Sequence, residues 1–138
     1  MPSLRIEHVA LNVPDPVAMA AWYAAHLGMH VARNVGGPNN TFFLGDAGDA
    51  TVIEIYNNPG DRVPDYAGQH PLRLHIAFEA PDPDAASKVL IAAGATMVDQ
   101  QHLPDGTHLV MLRDPWGVAV QLCRRPRRIL PGDRDTSA

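Results

Sequence analysis

Two stretches of the chain superimpose on one another at a single spacing. Residues 7–16, Glu-His-Val-Ala-Leu-Asn-Val-Pro-Asp-Pro, lie over residues 74–83, Leu-His-Ile-Ala-Phe-Glu-Ala-Pro-Asp-Pro, and match His, Ala, Pro, Asp and Pro at one offset, 75 − 8 = 67. The same offset carries Thr51-Val52-Ile53-Glu54-Ile55 onto Val118-Ala119-Val120-Gln121-Leu122 without a gap. Two alignments that share an offset argue for a duplicated module of about 60–70 residues, so that whatever one copy folds into, the other folds into as well.

Each copy reads as strand, helix and three strands. In the first, residues 4–13 are strand-like, Pro14-Asp15-Pro16 stops the strand, and Asp15 caps a helix that runs to Leu27 and ends at Gly28. Strands near 29–35, 40–45 and 50–57 follow. The second copy predicts a strand at 72–80, a helix at 83–93 ended by Gly94, and strands near 96–102, 107–113 and 117–124. Module one thus spans 4–57, a Pro- and Gly-rich linker 58–71 and module two 72–125. Together they make one domain, 1–125, of α+β class, and residues 126–138 read as a loose tail.

Composition bounds what such a domain does. With 46% hydrophobic and 19% charged residues in 138, the chain can bury a core and is not disordered over most of its length. Eleven Lys and Arg against fifteen Asp and Glu give a formal charge of −4, which leaves no basic footprint for nucleic acid. No apolar run is long enough for a signal peptide or a membrane span. A single cysteine, Cys123, rules out an internal disulfide and fits a cytoplasmic protein. Seven histidines are the compositional oddity.

Strand parity sets which side chains share a face. Val9, Leu11 and Val13 face a helix, which puts His8, Ala10 and Asn12 opposite. Leu74, Ile76, Phe78 and Ala80 form the apolar face of the fifth strand, with Arg73, His75, Ala77 and Glu79 on the other side. Parity likewise separates Glu54 and Tyr56 from Ile53 and Ile55, and Gln121 and Cys123 from Val120 and Leu122. His8, Glu54, His75 and Gln121 therefore all point away from the helix-covered side. Two imidazoles, a carboxylate and an amide oxygen suit one divalent ion such as Zn, Ni, Mn, Fe or Co, with positions left for water or a bidentate substrate.

Ile6-Glu7-His8-Val9-Ala10-Leu11, Trp22-Tyr23 with Leu27-Gly28-Met29, Val52-Ile53-Glu54-Ile55-Tyr56-Asn57, Leu74-His75-Ile76-Ala77 and Asp114-Pro115-Trp116-Gly117 leading into Val120-Gln121-Leu122 occur in the order and spacing of one family. The chain resembles the vicinal oxygen chelate superfamily, which includes glyoxalase I, extradiol dioxygenases and bleomycin-resistance proteins. The resemblance covers residues 4–124. It implies two tandem βαβββ modules forming a U-shaped, eight-stranded mixed sheet around a metal, with ligands at His8, Glu54, His75 and Gln121. It also implies a lyase or isomerase that removes a proton next to a chelated substrate oxygen.

Where glyoxalase I-like enzymes keep a last carboxylate this chain has Gln121, which cannot act as a base, so Glu54 is the expected catalytic base. Asn12 stands where glutathione-using relatives place an arginine, and Asn58 fits the glutathione pattern. Arg73 is a candidate for holding an anionic substrate group and Tyr56 for lining the pocket. His108 aligns with Thr41 at the same offset and is expected to face the cleft as a reserve acid or base. His26, His30, His70 and His102 read as surface or turn residues. Two other readings are an Fe(II) extradiol dioxygenase on the His8, His75 and Glu54 triad, and a non-catalytic drug-binding protein of the bleomycin-resistance type. The expected partners are a small-molecule substrate and a second copy in a homodimer, with no nucleic acid and no membrane.

Overall fold

The structure is a computed structural model that describes residues 2–130. The chain divides at Pro64/Asp65 into two compact units, a boundary inside the expected linker.

The first unit contains β1 (His8–Asn12), α1 (Pro16–Leu27), β2 (His30–Gly36), β3 (Thr41–Gly45) and β4 (Val52–Tyr56). Its sheet runs β1-β4-β3-β2, with β1 parallel to β4 and the remaining pairs antiparallel. α1 starts where the sequence stops the strand. Asp15 Oδ1 accepts the N–H of Ala18 at 3.1 Å, Pro16 occupies the first turn where its missing N–H costs nothing, and Gly28 closes the helix in the left-handed region at φ 68°.

The second unit repeats the plan with β5 (Ile76–Glu79), α2 (Pro83–Ala92), β6 (Thr96–His102), β7 (His108–Arg113) and β8 (Ala119–Arg124), in sheet order β5-β8-β7-β6. Asp82 caps α2 through Ala85 N–H at 3.1 Å. Ala93, not Gly94, takes the C-cap, and Gly94 follows at φ 113°. β5 is shorter than the expected 72–80 strand, because residues 71–73 form a turn held by Arg73 N–H on the carbonyl of His70 at 2.9 Å.

One face of each sheet packs on its helix. In the first unit Leu11, Val13, Leu44 and Ile55 meet Met19 and Tyr23, all at most 4% exposed. In the second, Val110, Leu112, Val120 and Leu122 meet Leu90, all at most 2% exposed. Among the described residues, no helix is long and apolar enough to cross a membrane.

The register corrects the repeat. Ala10 pairs with Glu54 and Ala77 with Gln121, so the first and fourth strands keep the 67-residue offset. Leu44 faces Ile53 and Leu112 faces Val120, which puts the third strands 112 − 44 = 68 apart. Val31 faces Leu44 and Met97 faces Leu112, so the second strands are 97 − 31 = 66 apart. The total is constant because length changes in three connections cancel.

Candidate functional site

In the first unit, β1 and β4 bring His8 and Glu54 together. His8 Nε2 lies 3.1 Å from Glu54 Oε2, while His8 Nδ1 lies 2.9 Å from Glu7 Oε1. Phe43, opposite Glu54 on β3, presents an edge-on contact to the His8 ring with centroids 6.0 Å apart. The ring is thus held on three sides. With metal–ligand bonds of about 2.1 Å, two donors at right angles stand about 3.0 Å apart, so the observed 3.1 Å between Nε2 and Oε2 fits adjacent positions on one ion.

In the second unit, His75 immediately precedes β5, and its Nδ1 lies 3.0 Å from the carbonyl oxygen of Pro71. A carbonyl only accepts, so Nδ1 carries a proton and Nε2 is the ring nitrogen left to ligate. The Glu7 carboxylate engages the same nitrogen, Nδ1, of His8 at 2.9 Å. Each histidine thus has its outer nitrogen anchored, the arrangement that metal-binding imidazoles generally show. Gln121 faces Ala77, two residues beyond His75, and its Oε1 accepts the Cys123 thiol at 3.3 Å. His8 and Glu54 lie in the first unit and His75 and Gln121 in the second, and residues of these types are donors that suit a divalent ion. Among the described residues no three His, Cys, Asp or Glu side chains gather as a metal group.

Asn12 and Tyr56 pair in register on the face that carries His8 and Glu54. Asn12 Oδ1 accepts the N–H of Asn58 at 2.9 Å, and Asn58 Oδ1 accepts from Gly60 at 3.0 Å, so both amides shape the exit from β4. Two expectations need correction. Arg73 lies in the 71–73 turn, exposed and outside β5, so strand parity does not place it beside His75. His108 is 3% exposed and sits on the helix side of its sheet, where its Nε2 lies 3.7 Å from Asp84 of α2 and 2.9 Å from the Gln100 amide nitrogen, with its ring stacked on His102 at 4.1 Å. The third strand is offset by 68 rather than 67, and a one-residue slip turns a side chain to the opposite face.

Glu7 and the Pro71 carbonyl were not predicted from the sequence. β1 starts at His8, and Glu7, just before it, folds back onto the ring. The Pro71 contact is to backbone, which residue type does not reveal.

A hollow of about 460 Å³ opens within the second unit at the carboxyl ends of β5 and β8, where residues 125–129 pass beside the sheet. Cys123 lines it. Burial raises the Cys123 thiol above its ordinary value, and Arg125 partly opposes this.

The model of the glyoxalase-like domain family matches residues 8–123. A glyoxalase family protein from Bacillus cereus superimposes with a TM-score of 0.74 at 16% identity, covering 91% of this chain and 96% of that one. TnmS3, an antibiotic binding protein from a Streptomyces species, superimposes at 0.70 with 17% identity, covering 91% and 98%. A member of the glyoxalase/bleomycin resistance protein/dioxygenase superfamily from Sphaerobacter thermophilus gives 0.68 at 20% identity, covering 88% and 97%. At these identities the likeness shows the fold. No curated protein matches the chain by sequence.

Proposed function

The chain belongs to the glyoxalase-like domain family, and from that premise we propose that it is a divalent-metal-dependent lyase or isomerase of the cytoplasm, acting on a small oxygenated substrate. His8, Glu54, His75 and Gln121 would hold the ion. The observation that carries this reading is the pairing of His8 Nε2 with Glu54 Oε2 at 3.1 Å, with the outer nitrogen of each histidine already engaged.

A bound divalent ion would polarise a substrate oxygen and lower the cost of losing a proton from the neighbouring carbon. The chain's own residues supply the rest. Glu7 and the Pro71 carbonyl hold the outer nitrogens and so orient both rings. Glu54 is the carboxylate of the set, and its partial burial beside the Phe43 ring limits competing water. A carboxylate so placed can take a carbon-bound proton and return it to the adjacent position. Gln121 has no proton to exchange near neutral pH and serves only as a neutral oxygen donor. Asn12 and Tyr56, on the same face, flank the position a substrate would occupy.

Elemental analysis of the purified chain tests the metal. His8→Ala and His75→Ala are each expected to lose most of it, and full occupancy in both variants would refute the ligand set. Substrate turnover without oxygen uptake separates the lyase or isomerase from a dioxygenase, and metal content separates either enzyme from a drug-binding protein.

A further inference from the structure

We propose that the hollow at the carboxyl ends of β5 and β8 binds an apolar organic acid, with Arg124 and Arg125 receiving its oxyanion. The assignment does not rest on the metal reading. All of the lining comes from the second unit, and the volume of about 460 Å³ falls in the range of small-molecule sites. Its wall is mainly hydrocarbon, from Ala77, Phe78, Ala80, Pro81 and Ile129, which suits a ligand whose bulk is apolar.

Charge fixes the other end of the ligand. Three arginines, Arg124, Arg125 and Arg128, line the hollow against one carboxylate, Glu79. Arg128 grips that carboxylate with both arms of its guanidinium, Nε to Oε1 at 2.8 Å and Nη2 to Oε2 at 3.2 Å. Among the described residues neither Arg124 nor Arg125 belongs to an ion pair. Two guanidiniums bordering an apolar wall match an oxyanion on a hydrocarbon body, since the planar fork donates two parallel hydrogen bonds to a carboxylate. A cation would meet an excess of its own sign, and a neutral apolar molecule would gain nothing from that positive charge.

The chain carries one cysteine, and it lies in this wall, so thiol labelling reports occupancy of the hollow. The test follows the rate at which dithiodipyridine, a neutral disulfide, modifies Cys123 in the full chain without added metal. Naphthoate and naphthamide, nearly the same in shape and different in charge, serve as competing probes. Naphthoate at millimolar concentration is expected to slow labelling about tenfold more than naphthamide, the usual worth of a charge-assisted hydrogen bond. In the double variant Arg124→Gln, Arg125→Gln the two probes are expected to protect equally. Each rate is referred to the same protein without probe, which cancels any change in thiolate fraction when Arg125 is removed. Equal protection by both probes in the unaltered chain, or protection by neither, overturns the proposal. A difference that survives in the double variant overturns the assignment to these arginines.

Discussion

His8 has a carboxylate on each ring nitrogen, Glu7 on Nδ1 and Glu54 on Nε2, and the two do different jobs. Glu7 is exposed and orients the ring, whereas Glu54 is partly buried and is the candidate base. Glu54→Gln is expected to retain part of the metal, because an amide oxygen still coordinates, and to lose about 100-fold or more in turnover, the worth of a positioned base. Near-normal turnover with metal bound would move the base elsewhere. Cys123 gives a second prediction at this scale. Burial holds its proton above the ordinary value of 9.0, so the unfolded chain releases that proton first, and stability drawn from the thiol is lost as pH rises past 9.0. Alkylation by iodoacetamide is expected to show a midpoint above 9.0, and a midpoint at or below that value would contradict the burial. The approach of His8 to Glu54 was legible from the sequence because β1 and β4 keep the repeat's spacing. Glu7 was not, because its role depends on where β1 begins.

At the level of elements, the caps and the stops could be read in advance. Pro-Asp-Pro before each helix sets an aspartate cap and a proline first turn, and Asp15→Ala is expected to cost about 1 kcal/mol in denaturant unfolding, the usual loss for such a cap. The third strands could not be read at constant spacing, since β3 and β7 carry the cancelling length changes, and His108 was misplaced for that reason. Asp114-Pro115-Trp116-Gly117, quoted above as a family signature, is a structural turn. Asp114 is 4% exposed, and its Oδ1 accepts the N–H groups of Trp116 and Val118 at 2.9 Å each. Gly117 completes the turn at φ 87°, where an added Cβ would stand 2.7 Å from Ala67 Cβ and 2.8 Å from its backbone nitrogen. Nearby, Arg113 donates to the carbonyls of Tyr66, Gln69 and Gly117, which ties the end of the linker to β7. Gly117→Ala is therefore expected to lose at least about 1–3 kcal/mol from backbone strain alone, read as a lower unfolding midpoint, and a neutral effect would contradict the strain assigned to this φ.

For the molecule as a whole, each sheet ends in two edge strands, β1 and β2 in one and β5 and β6 in the other. Exposed apolar residues line several of them, including Val9, Val31, Val35, Met97 and Val98, each at least 40% exposed. Open edges with apolar side chains favour association, and a closed two-fold pair is the commonest outcome. Light scattering is expected to give twice the 14.9 kDa of one chain at micromolar concentration, and a value near one chain would count against the dimer. The cancelling offsets of 67, 66, 68 and 67 also bear on protein engineering. A designer who built a symmetric protein by averaging the two halves at constant spacing would set two strands in four out of phase. Apolar side chains meant for the core would then face water, and polar ones would face the helix. The two halves are interchangeable as architecture, and a consensus of them becomes foldable only after three loops are cut or lengthened to restore a common frame.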